Sequence, residues 1–107
     1  MFVVKQFSKV LKEKRTGVHM NSITGKNVQI LYVRLEPGIE TRHSHLNEQM
    51  GYILSGEIEL TINGEAKICK SGDAYYIPGN MEHGFKILNN NTAEYIEIFS
   101  PVKEDNL

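Results

Sequence analysis

Glu57-Ile58-Glu59-Leu60-Thr61-Ile62-Asn63-Gly64-Glu65-Ala66-Lys67-Ile68 sets the character of the whole chain. Ile58, Leu60 and Ile62 share one parity and Glu57, Glu59 and Thr61 the other, the period-two pattern of a strand with one buried face. Asn63-Gly64 follows at once. Both central residues of a type I′ turn need φ > 0, and this dipeptide tolerates that best, so residues 65–68 return antiparallel. Outward from this hairpin, further strand-like runs occupy 28–35, 51–54, 74–77, 84–88 and 95–99. Turn signals separate them at Pro37-Gly38, Ser55-Gly56, Ser71-Gly72-Asp73, Pro78-Gly79-Asn80 and Asn89-Asn90-Asn91.

Short strands at such even spacing, with no helical intervals between them, predict an all-β sandwich or barrel. The N-terminal third carries weaker patterns: a helical turn or two over 7–14, limited by Gly17, and edge strands at Val3-Val4 and 18–20. With 107 residues the chain is read as one domain over 1–107, too short for a multidomain enzyme. Twelve basic against thirteen acidic residues leave a net charge of −1, which offers no grip on phosphate backbones or anionic membranes. Nucleic acid and membrane are therefore not expected partners. No run approaches the ~20 apolar residues of a membrane-spanning helix, and Lys5 interrupts the apolar start before it resembles a secretory leader. Cys69 is the single cysteine, so no intramolecular disulfide forms and the cytoplasm is the expected compartment. An exposed strand edge would pair with a symmetry mate, which predicts a homodimer.

Chemistry concentrates in three of the four histidines. His43 and His45, two apart on an extended segment, project from one face and can meet one ion. A lone His-x-His arises by chance, and its bland reading is a solvated pair. Gln49 keeps the same parity and His83 opens another strand after the Pro78-Gly79 turn, which strengthens the metal reading. His19 lies outside this group, as a surface or edge residue.

The segment from Gly38 through His43-Ser44-His45 and Gln49 to Gly56, followed by Gly72 through Pro78-Gly79 to His83, resembles the two motifs of the cupin superfamily. That resemblance implies a jelly-roll barrel and a divalent cation held by His43, His45, Gln49 and His83. There are departures. Gly38 stands one residue closer to the first histidine, Gly79 follows Pro78 directly, and Ile87 replaces a family asparagine. The family glutamate is Gln49 on the motif register, and Glu48 is the alternative ligand if residues 46–48 turn. A neutral carboxamide leaves the cation's charge uncompensated, favouring Lewis-acid work and anionic ligands over dioxygen chemistry. Zn, Ni, Co, Fe, Mn or Cu all suit such a donor set.

The tail Glu94-Tyr95-Ile96-Glu97-Ile98-Phe99-Ser100-Pro101-Val102-Lys103 is similar to that of the cupins that linearise 4,5-unsaturated monouronates from pectin and alginate. There an Asp, a Phe and an Arg line the substrate site. Here Phe99 matches, and Glu97 and Lys103 stand for the other two. The resemblance implies an isomerase or lyase acting on a small sugar acid, with Glu97 moving a proton and Lys103 binding a carboxylate. Phe85 and Arg42 are further substrate-contact candidates, and Arg34 a weaker one. Two other functions fit the same residues: a non-catalytic small-molecule binding or sensor cupin, and a metal-dependent dioxygenase. A regulatory version is disfavoured, because the barrel takes nearly all 107 residues.

Overall fold

The computed structural model describes residues 2–107. Among the described residues nine strands form two antiparallel sheets. The larger sheet contains β1 (Lys12–Arg15), β2 (Val18–Thr24), β3 (Gln29–Leu35), β4 (Glu48–Ser55), β7 (Ala74–Ile77) and β9 (Ala93–Ser100), in the order β1-β2-β3-β9-β4-β7. The smaller contains β5 (Glu57–Ile62), β6 (Glu65–Lys70) and β8 (His83–Ile87), in the order β6-β5-β8. The predicted hairpin is β5–β6, and Asn63 and Gly64 both take positive φ, at 50° and 82°.

Alternation decides which side chains meet. On β3 the buried residues are Gln29, Leu31, Val33 and Leu35; on β9 they are Ala93, Tyr95, Glu97 and Phe99. Leu31, Val33, Leu35, Ala93, Tyr95 and Phe99 make one apolar cluster between the sheets with Ile58, Leu60, Phe85 and Ile87 of the smaller sheet. Each fully buried Leu or Ile there contributes about 1.5–3 kcal/mol. Glu97 is the one charged side chain on these buried faces.

The connection from β3 to β4 positions the histidines. Residues 39–43 run antiparallel to β8, with His43 and His83 exchanging both backbone hydrogen bonds at 2.9 Å and Thr41 bonding Phe85 at 2.8 and 3.2 Å. Gly84 permits this approach, because a Cβ there would strike the Thr41 carbonyl oxygen.

The N-terminal expectations need correction. Only Phe7–Lys9 forms a 3₁₀ turn, Lys12–Arg15 is the edge strand, and Val18–Thr24 lies one strand inside it. Val3-Val4 is not strand. The sequence Lys12-Glu13-Lys14-Arg15 has no apolar parity because all four residues are exposed, so it carries no strand signal. Strand β4 starts at Glu48, three residues before the predicted run. The main chain of Glu48–Met50 pairs with Ser100–Ile98 whatever the polarity of its side chains.

Candidate functional site

Three imidazoles converge at one end of the apolar cluster. His43, His45 and His83 each present a ring nitrogen within 4.8 Å of the others, and the His43–His83 ring centroids lie 4.5 Å apart. Backbone carbonyls orient two of the rings. His45 Nδ1 lies 3.0 Å from the Asn47 carbonyl oxygen and His83 Nδ1 2.9 Å from that of Met81. A carbonyl only accepts, so both Nδ1 atoms carry the proton and both Nε2 atoms turn bare lone pairs inward. His83 Nε2 is buried with no hydrogen-bond partner. These outer carbonyls lie two residues from their histidines and leave no trace in side-chain pattern.

Gln49 completes the group. It is 2% exposed, whereas Glu48 faces solvent and accepts a 3.0 Å hydrogen bond from the Tyr76 hydroxyl. The Gln49 Nε2 donates to the Glu97 carboxylate, which leaves Oε1 aimed at the histidines, 3.2 Å from His45 Nε2. Two acceptors then face each other across 3.2 Å with no proton between them, beside the orphaned His83 Nε2. A divalent cation relieves both defects, and three imidazoles with a carboxamide oxygen are a donor set that Zn, Ni, Co, Fe, Mn or Cu accepts. These residues could hold such an ion. Two of the imidazoles are held neutral: burial, then His83 and His45, lowers His43 to about 4, and burial lowers His45.

Glu97 sits next to this group, fully inside. Burial raises its carboxyl from an ordinary 4.5 to about 7, and hydrogen bonds from Tyr75 and Gln49 moderate the rise. The Tyr75 hydroxyl donates to it at 2.7 Å. Tyr75 reaches Glu97 across Gly51, since Gly51 pairs with Tyr75 on one side and Glu97 on the other. A Cβ at Gly51 would overlap the Tyr75 ring. Gly51→Ala is accordingly expected to displace that ring and destabilise the fold by about 1–3 kcal/mol. At 4–8 °C per kcal/mol for a chain of this size, the loss is readable as a lower thermal midpoint. An unchanged midpoint would mean that the phenol is not held over this glycine.

A cavity of about 300 Å³ opens from the same place, with His43, Gln49, Glu97, Phe85, Phe99 and Lys103 on its walls. This is the lower end of the volume range for small-ligand pockets. Phe99 packs edge-on to His45 at 5.6 Å between centroids, and Phe85 packs on Tyr75 and Tyr95. Lys103 stands at the mouth, 3.3 Å from the Asp105 carboxylate. Arg42 is not on these walls: it is exposed and 3.3 Å from Glu82 on the outer surface. Along the extended segment 39–43, Thr41 and His43 line the cavity while Arg42 takes the opposite parity. Arg34 likewise lies in the outward parity of β3, opposite Glu94. His19 lies on β2 between Glu13 and Glu36, at 3.8 and 3.6 Å. Neither Tyr75, which donates to Glu97, nor Arg15, which also lines the cavity, is marked by a motif in the sequence.

The model of the cupin domain matches residues 31–99. The chain is 39% identical over 97 residues to the pectin degradation protein KdgF of Dickeya dadantii (strain 3937), covering 88% of this chain and 87% of that one. The structure of KdgF from Halomonas sp. superposes with a TM-score of 0.85 at 25% identity, over 95% of this chain and 94% of the other. An RmlC-like cupin from Shewanella frigidimarina NCIMB 400 also reaches 0.85, at 22% identity over 92% and 88% of the two chains. The transcriptional regulator PuuR of Escherichia coli (strain K12) is 29% identical over 83 residues, which span 45% of its length.

Proposed function

The chain belongs to the cupin family, and from that membership we propose that it is a metal-dependent isomerase that opens a 4,5-unsaturated uronate ring during pectin breakdown. The supporting observation is the buried Glu97 carboxyl held beside the Gln49 and histidine acceptors, in a chain 39% identical to a pectin degradation protein. In this reading residues 1–107 are one jelly-roll domain. His43, His45, Gln49 and His83 hold the ion, Glu97 and Lys103 act on the substrate, and Phe99 and Phe85 shape its pocket. The ion is a divalent transition metal.

The reaction is redox-neutral and needs no co-reactant. A proton leaves the anomeric hydroxyl, the ring carbon–oxygen bond at carbon 1 breaks, and carbon 4 of the resulting enol takes a proton. An aldehyde at carbon 1 and a ketone at carbon 5 result. The bound cation supplies Lewis acidity toward a substrate oxygen. Glu97, with a pKa near neutrality, both accepts and returns a proton at pH 7. Tyr75 and Gln49 fix its carboxylate in place, and Phe99 and Phe85 keep water from the reacting carbons. Incubation of the metal-loaded protein with the unsaturated galacturonate, followed by NMR, tests the reading. The vinylic proton signal at carbon 4 should disappear far faster than in buffer; an unaltered rate rejects the reading.

The reading also places the protein in the cytoplasm as a homodimer. Met50, Tyr52, Tyr76 and Ile98 are 50, 47, 48 and 41% exposed on the outer face of the larger sheet. Cross-strand pairing makes them contiguous: Met50 lies between Ile98 and Tyr76, and Tyr52 beside Ile96. Contiguous apolar surface of this kind favours a partner, and a two-fold copy supplies the same face. Light scattering should give twice the chain's 12.2 kDa, and Met50→Lys should return the single mass. A wild-type monomer would contradict the assembly.

A further inference from the structure

We propose that Arg15 is the receptor for the carboxylate of the sugar acid, gripping it at the cavity mouth with its planar guanidinium. This rests on the reading of the ligand as a sugar acid. The backbone of β1 carries the argument. Lys12 pairs with Met20 and Glu13 with His19, so regular alternation would set Lys14 opposite Val18 and turn Arg15 outward with Glu13. Instead the register slips between Glu13 and Arg15, and Arg15 itself pairs with Val18. Val18 is 5% exposed and faces the core. Directly paired residues project to the same side of a sheet, so the bulge at Lys14 turns Arg15 toward the cavity. Arg15 and Val18 both line it.

Three cations stand at that mouth, and two are engaged. Lys14 Nζ donates to the Leu107 carbonyl oxygen at 3.0 Å, and Lys103 pairs with Asp105. Arg15 makes no side-chain hydrogen bond or ion pair among the described residues and is exposed. It is the available fork, with five donors in a geometry that matches a carboxylate bidentately. Lys103 offers a point charge that Asp105 already shares. The acid group would therefore dock at the β1 side of the mouth, leaving the ring to reach Glu97 and Phe99 deeper in.

Calorimetric titration of D-galacturonate and of neutral D-galactose into the full chain separates the two components of recognition. The wild type should bind the acid about tenfold or more tightly than the neutral sugar, the size of a charge-assisted bidentate pair. Arg15→Gln should remove that preference and leave galactose binding and the thermal midpoint unchanged, and Arg15→Lys should recover only part of it. Undiminished galacturonate affinity in Arg15→Gln, or a wild type without preference for the acid, would overturn the assignment. A wild type that prefers the acid through Arg15 but turns over no unsaturated uronate would sink the isomerase reading and leave Arg15 in its role.

Discussion

His83→Ala is expected to lower the affinity for a divalent metal by well over a hundredfold and to abolish turnover with it. Disturbing an outer-shell partner of a metal ligand already costs 10–100-fold, and removal of a ligand should exceed that. Of the three histidines His83 is the most buried, at 2% exposed, and its Nε2 has no other partner. Alanine leaves His43 and His45 facing the Gln49 oxygen with one donor fewer. Competition against a chromogenic chelator gives the affinity, and circular dichroism checks that the sheets persist. Because the deletion also opens a void, His43→Gln serves as a second variant at a more exposed ligand position and should weaken binding without one. Wild-type affinity in both would remove the histidines from the site.

Glu97→Gln should leave metal affinity within a fewfold of wild type but lower kcat by about 10²–10⁴, the range for a positioned proton-transfer group. The amide keeps the size and cannot take a proton. Its stability provides a separate readout. Glu97 titrates at about 7 in the folded protein against an ordinary 4.5, so the folded state holds this proton where the unfolded chain has lost it. The stability that Glu97 contributes is complete below about 4.5 and is lost as pH rises through 7. The variant lacks this loss. The difference in thermal midpoint, variant minus wild type, should therefore grow in the variant's favour from pH 4.5 to 7 and level off above. The full change is about 3 kcal/mol. A constant difference across that range would mean that the carboxyl titrates normally.

Sequence pattern made most of the architecture legible, and for physical reasons. Strands with one buried face advertise themselves by parity, as in Glu57–Ile62 and Gln29–Leu35, and Asn63-Gly64 announces its own backbone angles. The grouping of His43, His45, Gln49 and His83 followed from motif spacing, because an antiparallel bridge sets residues 43 and 83 face to face. Other features had no such signature. Lys12–Arg15 is exposed throughout and looks like any charged segment, so neither its strand nor its bulge could be read. The link from Tyr75 to Glu97 depends on three neighbouring strands and on a missing side chain at Gly51, a relation among residues 22 and 48 positions apart. Arg42 seemed close to the ligands only because it adjoins His43 in the chain; strand geometry sends neighbours to opposite faces.

Titration of metal back into chelated protein, with the ultraviolet absorbance of the unsaturated galacturonate followed at each step, tests the whole account most directly. Loss of absorbance should be absent without metal, rise in proportion to added ion, and break at one equivalent per chain. Full activity in the chelated protein, or none at any loading, would contradict it.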